Sequence, residues 1–326
     1  MNEKISVIIP AYNRAKVIGI TVNSLINQTL PKDKYEIIVV DNNSTDNTKQ
    51  EIEKIIQANK NGAEVRYFLE KNQGVHFARN RGAKEAKNDI LYFTDDDMLA
   101  EPDALQELLK VFSIDPGVGV VGGVILLKFE TEPPKWIKEH CSNSILGFRP
   151  KDNIDLIISS KDIGVFSGHQ AVRKEVLFKA GGFNPENTKG EWIGDGETGL
   201  NKKIMELNYK FAFTAKSVTY HLIPKERLNQ KAINKRLANQ GSAESYAYYR
   251  KHKPQKIGLY FQILKHFLGG LKFFALAVIF FVVGNSQWHL RWAWIFYWKA
   301  RIKYDIRLLN DKEWQNLVLK SDWINS

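Results

Sequence analysis

The chain of 326 residues has almost no cysteine. Cys141 stands alone, which excludes an intramolecular disulfide and any zinc site built on cysteines. A single thiol suits a reducing compartment. Glycine-rich phosphate loops are missing as well. Neither GxGxxG nor GxxxxGKS/T follows a strand-like run, which argues against dinucleotide oxidoreductases and P-loop enzymes. There is no internal repeat and no low-complexity tract. Met1–Asn2–Glu3–Lys4 runs straight into an apolar stretch, so no secretory signal peptide is expected. Long apolar runs are scarce too. Leu271 to Val283 is apolar except for Lys272, well short of the roughly 20 residues that span a bilayer.

What is present is ordinary in amount and uneven in placement. A hydrophobic share of 44% and a charged share of 25% suit a globular chain with a sizeable core, in one large domain or two moderate ones. The net charge is +11. Residues 225–326 carry 18 Lys and Arg against 6 Asp and Glu, while residues 1–224 carry 29 against 30. The basic excess is therefore all C-terminal. Nucleic acid or an anionic membrane could attract it. The same region is the most apolar and aromatic, with Trp288, Trp292, Trp294, Tyr297 and Trp298 among Arg291, Lys299, Arg301 and Lys303. That combination favours a membrane surface and no nucleic-acid partner. The expectation is an in-plane amphipathic or re-entrant anchor over 259–326. The competing expectation is an apolar hairpin packed on the catalytic domain or on a homodimer partner.

From the N-terminus, strands and helices alternate about every 30 residues. Strands are expected at Ile5–Pro10, Tyr35–Val40, Glu64–Leu69 and Ile90–Phe93. Helices are expected at about Ala15–Asn27, from Asp46 or Asn47 to about Asn59, and from Gly74 through Ala86. Such alternation builds a mostly parallel, doubly wound α/β sheet whose polar loops gather at one edge. Val118–Leu127 and Phe166–Val172 read as further strands. Residues 130–160 read as an irregular surface insertion. Lys174–Ala180 and Asp195–Leu207 read as helices, Lys210–Thr214 and Ser217–Tyr220 as two strands, and Lys225–Lys251 as a basic closing helix.

Chemistry concentrates in Ile90–Leu91–Tyr92–Phe93–Thr94–Asp95–Asp96–Asp97. Three adjacent carboxylates at the end of a buried strand repel one another. A divalent cation removes that repulsion, and Mg²⁺ or Mn²⁺ commonly shares its oxygen ligands with substrate phosphates. The bland alternative is an acidic turn capping a helix. Asp41 ends another buried strand, where it could accept a hydrogen bond from a base edge or close an Asx-turn. Arg79 lies on a helix near the same edge and could pair with a diphosphate. Together these residues point to a nucleoside-diphosphate site.

The ordered set Pro10–Ala11–Tyr12–Asn13–Arg14, Asp41–Asn42–Asn43–Ser44–Thr45–Asp46, Gly74 through Gly82, Thr94–Asp95–Asp96–Asp97, Ala180–Gly181–Gly182–Phe183 and Gly194–Asp195–Gly196–Glu197–Thr198–Gly199–Leu200 resembles the catalytic domain of glycosyltransferase family 2. It covers about residues 4–230. The resemblance implies the GT-A fold, with a catalytic domain over 1–230 whose donor half is about 1–100 and whose acceptor half is about 101–230. A basic helical segment over 231–258 and the apolar, aromatic and basic region 259–326 would follow it.

The resemblance further implies an inverting sugar transfer from a nucleotide-diphosphate-sugar donor to a glycan or lipid-linked acceptor hydroxyl, in surface polysaccharide or glycan assembly. The enzyme would work at the cytoplasmic face of a membrane, with Mn²⁺ or Mg²⁺ as cofactor. By the same resemblance Pro10, Ala11, Tyr12, Asn13, Arg14, Asp41, Asn43, Ser44, Gly74, Arg79, Asp95 and Asp96 would bind the donor. Asp95, Asp97 and His221 would hold the metal. The family places its base as the Asp of a Glu-Asp pair three residues before a Leu. Here Glu197 stands three before Leu200 and Gly196 replaces the first member. The base is therefore Glu197 or the upstream Asp195. Gly168–His169–Gln170 also departs from the family pattern, so His169 and Gln170 are expected to shape donor or acceptor choice. Trp136 and Trp192 could stack on sugar faces or simply pack. Two other readings are a sugar nucleotidyltransferase of related fold and a catalytically silent membrane- or glycan-binding scaffold. The first lacks its glycine-rich loop after strand one, and the intact Asp95–Asp97 cluster speaks against the second.

Overall fold

A computed structural model of the protein describes residues 3–141, 145–185, 187–188, 191–192 and 194–325. The first half alternates as the apolar runs dictate: β1 (Ile5–Ala11), α1 (Ile18–Ile26), β2 (Tyr35–Asp41), α2 (Thr48–Ala58), β3 (Glu64–Leu69), α3 (Val75–Glu85) and β4 (Ile90–Thr94). Every residue of β1, β2 and β4 is buried, as continuous apolar strands covered on both faces must be. They pair in parallel in the order β3-β2-β1-β4.

The second half closes the sheet with β5 (Met98–Ala100), α4 (Ala104–Phe112), β6 (Val118–Phe129), α5 (Lys135–His140), β7 (Leu156–Ser159), β8 (His169–Arg173), α6 (Lys174–Lys179), β9 (Asn187–Thr188), β10 (Glu191–Trp192), α7 (Gly196–Glu206) and β11 (Lys210–Ile223). The main sheet runs β3-β2-β1-β4-β8-β6-β11-β5, with β7 also pairing with β11. Antiparallel β8 joins the two parallel parts, β4 on one side and β6 on the other. The C-terminal ends of β1, β2 and β4 therefore share one edge with the end of β11. That edge is where ligands bind in open α/β sheets.

Four helices follow: α8 (Gln230–His252), α9 (Lys256–Val282), α10 (Trp288–Asn310) and α11 (Lys312–Leu319). Asn229 caps α8 by accepting from the Ala232 amide at 3.0 Å, so the helix starts later than the basic run suggests. α9 and α10 pack against each other, and α10 also packs on α8.

Several expectations are corrected. Lys210–Thr214 and Ser217–Tyr220 are one 14-residue strand with a register slip between Thr214 and Val218, an irregularity that bends a strand without ending it. The stretch 130–160 contains α5 and β7. The acidic turn leads into strand β5, and helix α4 begins only after Asp103. The apolar helix is also longer than its uninterrupted run. α9 has 27 residues and is long and apolar enough to cross a membrane by length and composition. Lys265, His266, Gly269 and Gly270 break the run in sequence. In the helix, His266 is buried with its Nδ1 3.0 Å from Asp305 of α10, and Gly269 makes room for the Trp298 ring.

Candidate active site

A cleft of about 860 Å³ opens at the shared edge. Its lining includes Pro10 and Ala11 at the end of β1, Tyr12 and Arg14 just after it, and Asp95, Asp96 and Asp97 just after β4. Glu197, Ser167, His221 and Arg227 line the same cleft.

Each of the three carboxylates faces an arginine from a different element. Asp95 accepts from Arg79 of α3, Asp96 accepts from Arg14 Nε at 2.8 Å, and Asp97 Oδ2 lies 3.3 Å from Arg227 Nη1. Arg79 is buried, whereas Arg14 and Arg227 are each about two-fifths exposed to the cleft. Burial pushes the Asp96 carboxyl well above the usual range, and Arg14 only partly offsets it. Burial pushes Asp97 in the same direction, but the His221 imidazole, Arg227 and Arg14 outweigh it and bring the net below the ordinary value. Asp97 is the carboxylate of this pair held in its charged form.

His221 sits on β11 beside Asp97, its Nε2 3.5 Å from Asp97 Oδ1. Its Nδ1 lies 2.8 Å from the Leu146 carbonyl oxygen. A carbonyl only accepts, so Nδ1 carries a proton, and in the neutral ring Nε2 is the nitrogen left with the lone pair. This is the tautomer a metal ligand needs. Two ligands of one small divalent ion stand about 3 Å apart, so Asp97 and His221 fit such an ion as a pair. Among the described residues, no group of three His, Cys, Asp or Glu could hold a metal ion. Asp95 turns to Arg79, its Oδ2 close to the Gly168 backbone. A two-ligand site completed by substrate phosphate oxygens is the usual arrangement for Mg²⁺.

The two candidate bases separate clearly. Glu197, in the first turn of α7, faces the cleft and accepts from Ser167 Oγ at 3.1 Å. Asp195 is buried at the helix start, accepting from Asn184 Nδ2 at 3.2 Å, with Lys202 3.8 Å away. Burial pushes its carboxyl up, and it lies outside the cleft lining. Its surroundings are those of a structural carboxylate at a helix N-terminus.

The donor-side loops are built by the polar residues expected to touch the nucleotide. Asp41 is buried, accepting from the Ser44 amide at 2.9 Å and the Tyr67 hydroxyl at 3.0 Å. Asn13 and Asn43 take positive φ. Asn13 accepts from the Thr45 amide at 2.8 Å and donates its own amide to Ser44 Oγ at 2.9 Å. Asp41, Asn13, Asn43 and Ser44 thus lock two loops together. The surface they present to the cleft is Tyr12, Arg14 and Asn42. Gly74, at φ 145°, starts α3 and donates to Asn42 Oδ1 at 2.6 Å.

Four specificity candidates do not meet the cleft. His169 is buried between Tyr92 Oη, 2.7 Å away, and Ser217 Oγ, 3.0 Å away. Gln170 is buried and donates to Asn201 Oδ1 at 2.7 Å. Both belong to β8, inside the sheet, where a polar side chain is kept by its partners rather than by a ligand. Trp136 stacks on His289 at 4.4 Å and packs with the helical region. Trp192, on β10, is partly buried and outside the cleft lining. The residues that sequence reasoning missed are Arg227, Ser167, Asn42 and Leu146. Only Arg227 carried a signal, as a cation shortly after the last strand.

Carboxylates at the end of a central strand, a paired imidazole, a glutamate and three arginines thus share one cleft at the edge of an α/β sheet. Comparison with known proteins shows the family. The model of the family described as Glycosyl transferase family 2 matches residues 6–180, more than half of the chain, and the chain belongs to that family. It is 30% identical to glycosyltransferase AglE of Haloferax volcanii over 217 residues, 67% of this chain and 66% of that protein. It is 27% identical to chondroitin synthase of Escherichia coli over 283 residues, 76% of this chain and 39% of that protein. The chain thus spans just under two thirds of one relative and well under half of the other. Among solved structures it resembles mannosyltransferase PcManGT from Pyrobaculum calidifontis in complex with GDP-Man and Mn²⁺, with a TM-score of 0.63, 18% identity, and 96% and 88% of the two chains covered. It also resembles GalNAc-T7 with UDP, GalNAc and Mn²⁺, with a TM-score of 0.51, 21% identity, and 68% and 43% covered. At these identities the likeness is one of fold.

Proposed function

We propose that the protein transfers a sugar, with inversion, from a nucleoside-diphosphate sugar to a hydroxyl of a glycan or lipid-linked glycan in surface glycan assembly. The observation that carries this reading is that Glu197 and the Asp97–His221 pair line one cleft. Glu197 accepts the proton of the attacking hydroxyl as its oxygen bonds to the anomeric carbon. The bond from that carbon to the diphosphate breaks on the opposite face. Ser167 holds the Glu197 carboxylate in place through one oxygen, leaving the other for the acceptor. Arg14 and Arg227 meet the charge that accumulates on the departing diphosphate. Asp97 and His221 would hold Mn²⁺ or Mg²⁺, which when bound supplies further stabilisation of that charge.

The reaction belongs at the cytoplasmic face of a membrane, with the helical region lying in its plane. α9 is about 40 Å long at 1.5 Å per residue. Its outer face exposes Tyr260, Phe261, Leu264, Phe267, Leu268 and Leu271, and continues through Phe274, Val278 and Ile279. The opposite face packs on α10, with Phe273 stacked on Trp294 at 5.5 Å. α10 carries Arg291, Lys299, Arg301, Lys303 and Arg307. Threading α9 across the bilayer would draw these cations into hydrocarbon, at about 2.5–3.5 kcal/mol for each near the centre. Lying flat buries the apolar stripe and leaves the cations at anionic headgroups.

The test is transfer from a panel of radiolabelled nucleotide sugars to membrane glycan extracts, with Mn²⁺ or Mg²⁺. Wild-type transfer with inversion of the anomeric centre, lost in Asp97→Ala, is the expected result. Undiminished metal-dependent transfer in the variant sinks the assignment.

A further inference from the structure

The helical region does not simply follow the catalytic domain; the chain after it returns to the catalytic core. Beyond α11, Ile324 is buried in the same apolar cluster as Phe93, Ala78, Phe183 and Leu200. The Trp323 amide donates to the Gly181 carbonyl at 2.8 Å. Lys203 of α7 donates to the carbonyls of Gly182 at 2.6 Å and Ser321 at 3.1 Å. Arg250 of α8 donates to the carbonyls of Val318 and Lys320, each at 2.7 Å. The receiving surface is shaped for this segment. Gly181 and Gly182 have φ of +75° and +71°, and a Cβ on them would stand 2.9 Å from Ser321 O and 2.7 Å from Ile324 Cβ. Positive φ and close approach together call for glycine.

From that surface a short chain of contacts leads into the cleft. Asn80 of α3 holds Phe183 by two backbone bonds, donating to its carbonyl at 3.0 Å and accepting from its amide at 2.9 Å. The Asn80 Nδ2 also lies 3.5 Å from the Trp323 carbonyl. The Phe183 ring is stacked with His76 at 5.1 Å and meets Phe93 edge-on at 4.8 Å. The guanidinium of Arg79 lies 5.5 Å from the centre of the same ring, and Arg79 donates to Asp95. Ile324 therefore stands behind the residue on which Arg79 rests.

We propose that residues 320–325 are a positioning strap for the donor site: by filling the core behind Phe183 they hold Arg79 against Asp95 and so set donor affinity. None of these residues touches substrate. The proposal rests on the reading of Arg79 and Asp95 as donor-site groups. It also makes the catalytic unit discontinuous, composed of residues up to about 230 and a second piece some 90 residues later.

Binding of UDP and GDP with Mn²⁺ to the full chain, measured by calorimetry, tests it. The variants are Ile324→Ala and a chain lacking residues 320–326. Leu109→Ala, in the other large core on α4, is the stability control. The expected result is a dissociation constant raised between about twofold and thirtyfold by Ile324→Ala. Leu109→Ala should leave it within twofold at an equal or larger loss of Tm. A peptide of residues 318–325 added to the shortened chain should restore nucleotide affinity. Unchanged affinity in Ile324→Ala, with wild type binding normally, overturns the strap alone. Equal weakening in Leu109→Ala reduces the strap to general stability and overturns it as well. Failure of wild type to bind either nucleotide overturns the strap together with the donor-site reading.

Discussion

Arg227 donates an N–H to His221 Nε2 at 3.0 Å, and the same nitrogen lies 3.3 Å from Asp97 Oδ2. One guanidinium thus covers the two lone-pair groups that would ligate a divalent ion. Asp97 and His221 would have to give up that contact to hold Mn²⁺ or Mg²⁺, and the Arg227 guanidinium, which lines the cleft, would then be free to meet phosphate. Arg227→Ala should therefore lower kcat about a hundredfold, the typical loss for one charge-stabilising donor. Mn²⁺ affinity without nucleotide should hold or improve. Steady-state kinetics and direct Mn²⁺ titration check the two halves, and an unchanged kcat removes Arg227 from the reaction.

Glu197 and Asp195 should part sharply under conservative change. Glu197→Gln keeps the Ser167 contact but cannot take a proton. Transfer should fall by about 10²–10⁴, with nucleotide affinity within twofold of wild type. Asp195→Asn alters a buried group outside the cleft, so it should shift Tm while kcat stays within about threefold. Reversal of the two outcomes would exchange their roles.

The buried histidines should make the fold sensitive to acid. Burial holds the His169 imidazole down at about 4 and His76 well below its usual value. In the unfolded chain each takes up a proton near pH 6.5. Between about pH 6.5 and pH 4 these two groups bind more protons in the unfolded state, so the stability they contribute above 6.5 is lost as pH falls through this window. The buried Asp96 and Asp195 carboxyls, pushed up by burial, act in the opposite direction. His169→Gln removes one of the two histidine contributions, so its urea midpoint should fall less, or rise more, between pH 7 and pH 5 than that of the wild type. An identical change with pH in variant and wild type contradicts it.

Charge on the outer stripe of α9 should release the protein from lipid. Leu264 and Leu271 are about half exposed and one face apart by seven residues. The double variant Leu264→Glu with Leu271→Glu should stay folded by circular dichroism and lose co-flotation with anionic vesicles. Wild-type binding should weaken with added salt, because the basic face contributes through screened attraction. Co-flotation of the double variant equal to wild type refutes the in-plane placement.

Legibility in the sequence followed burial and spacing. β1, β2 and β4 are continuous apolar runs buried on both faces, and the loops after them collect on one edge by topology alone, so the site's address was readable. Asp97, Glu197 and His221, singled out from the sequence, do line one cleft. His169 and Gln170 misled, since a polar pair on a strand looks identical whether it faces a ligand or Tyr92 and Asn201. Asp41 was open in the sequence between a base-edge contact and an Asx-turn, and in the structure it accepts from the Ser44 amide. α9 was read short because Lys265 and His266 interrupt the run, and only packing shows that Asp305 answers His266. Arg227 carried only its place shortly after the last strand, a signal that assigns no role to one cation in a basic region.

Ile324 has one more consequence, for the order of assembly on the ribosome. Domains fold as they emerge, N-terminal parts first, at about 5–20 residues per second. The sheet ends at Ile223, yet the core beneath Phe183 stays open until Ile324 has been made, a delay of about 5–20 seconds. Helices α9 and α10 emerge inside that interval. On the in-plane placement proposed for them, the nascent chain meets lipid before the core beneath Phe183 is closed.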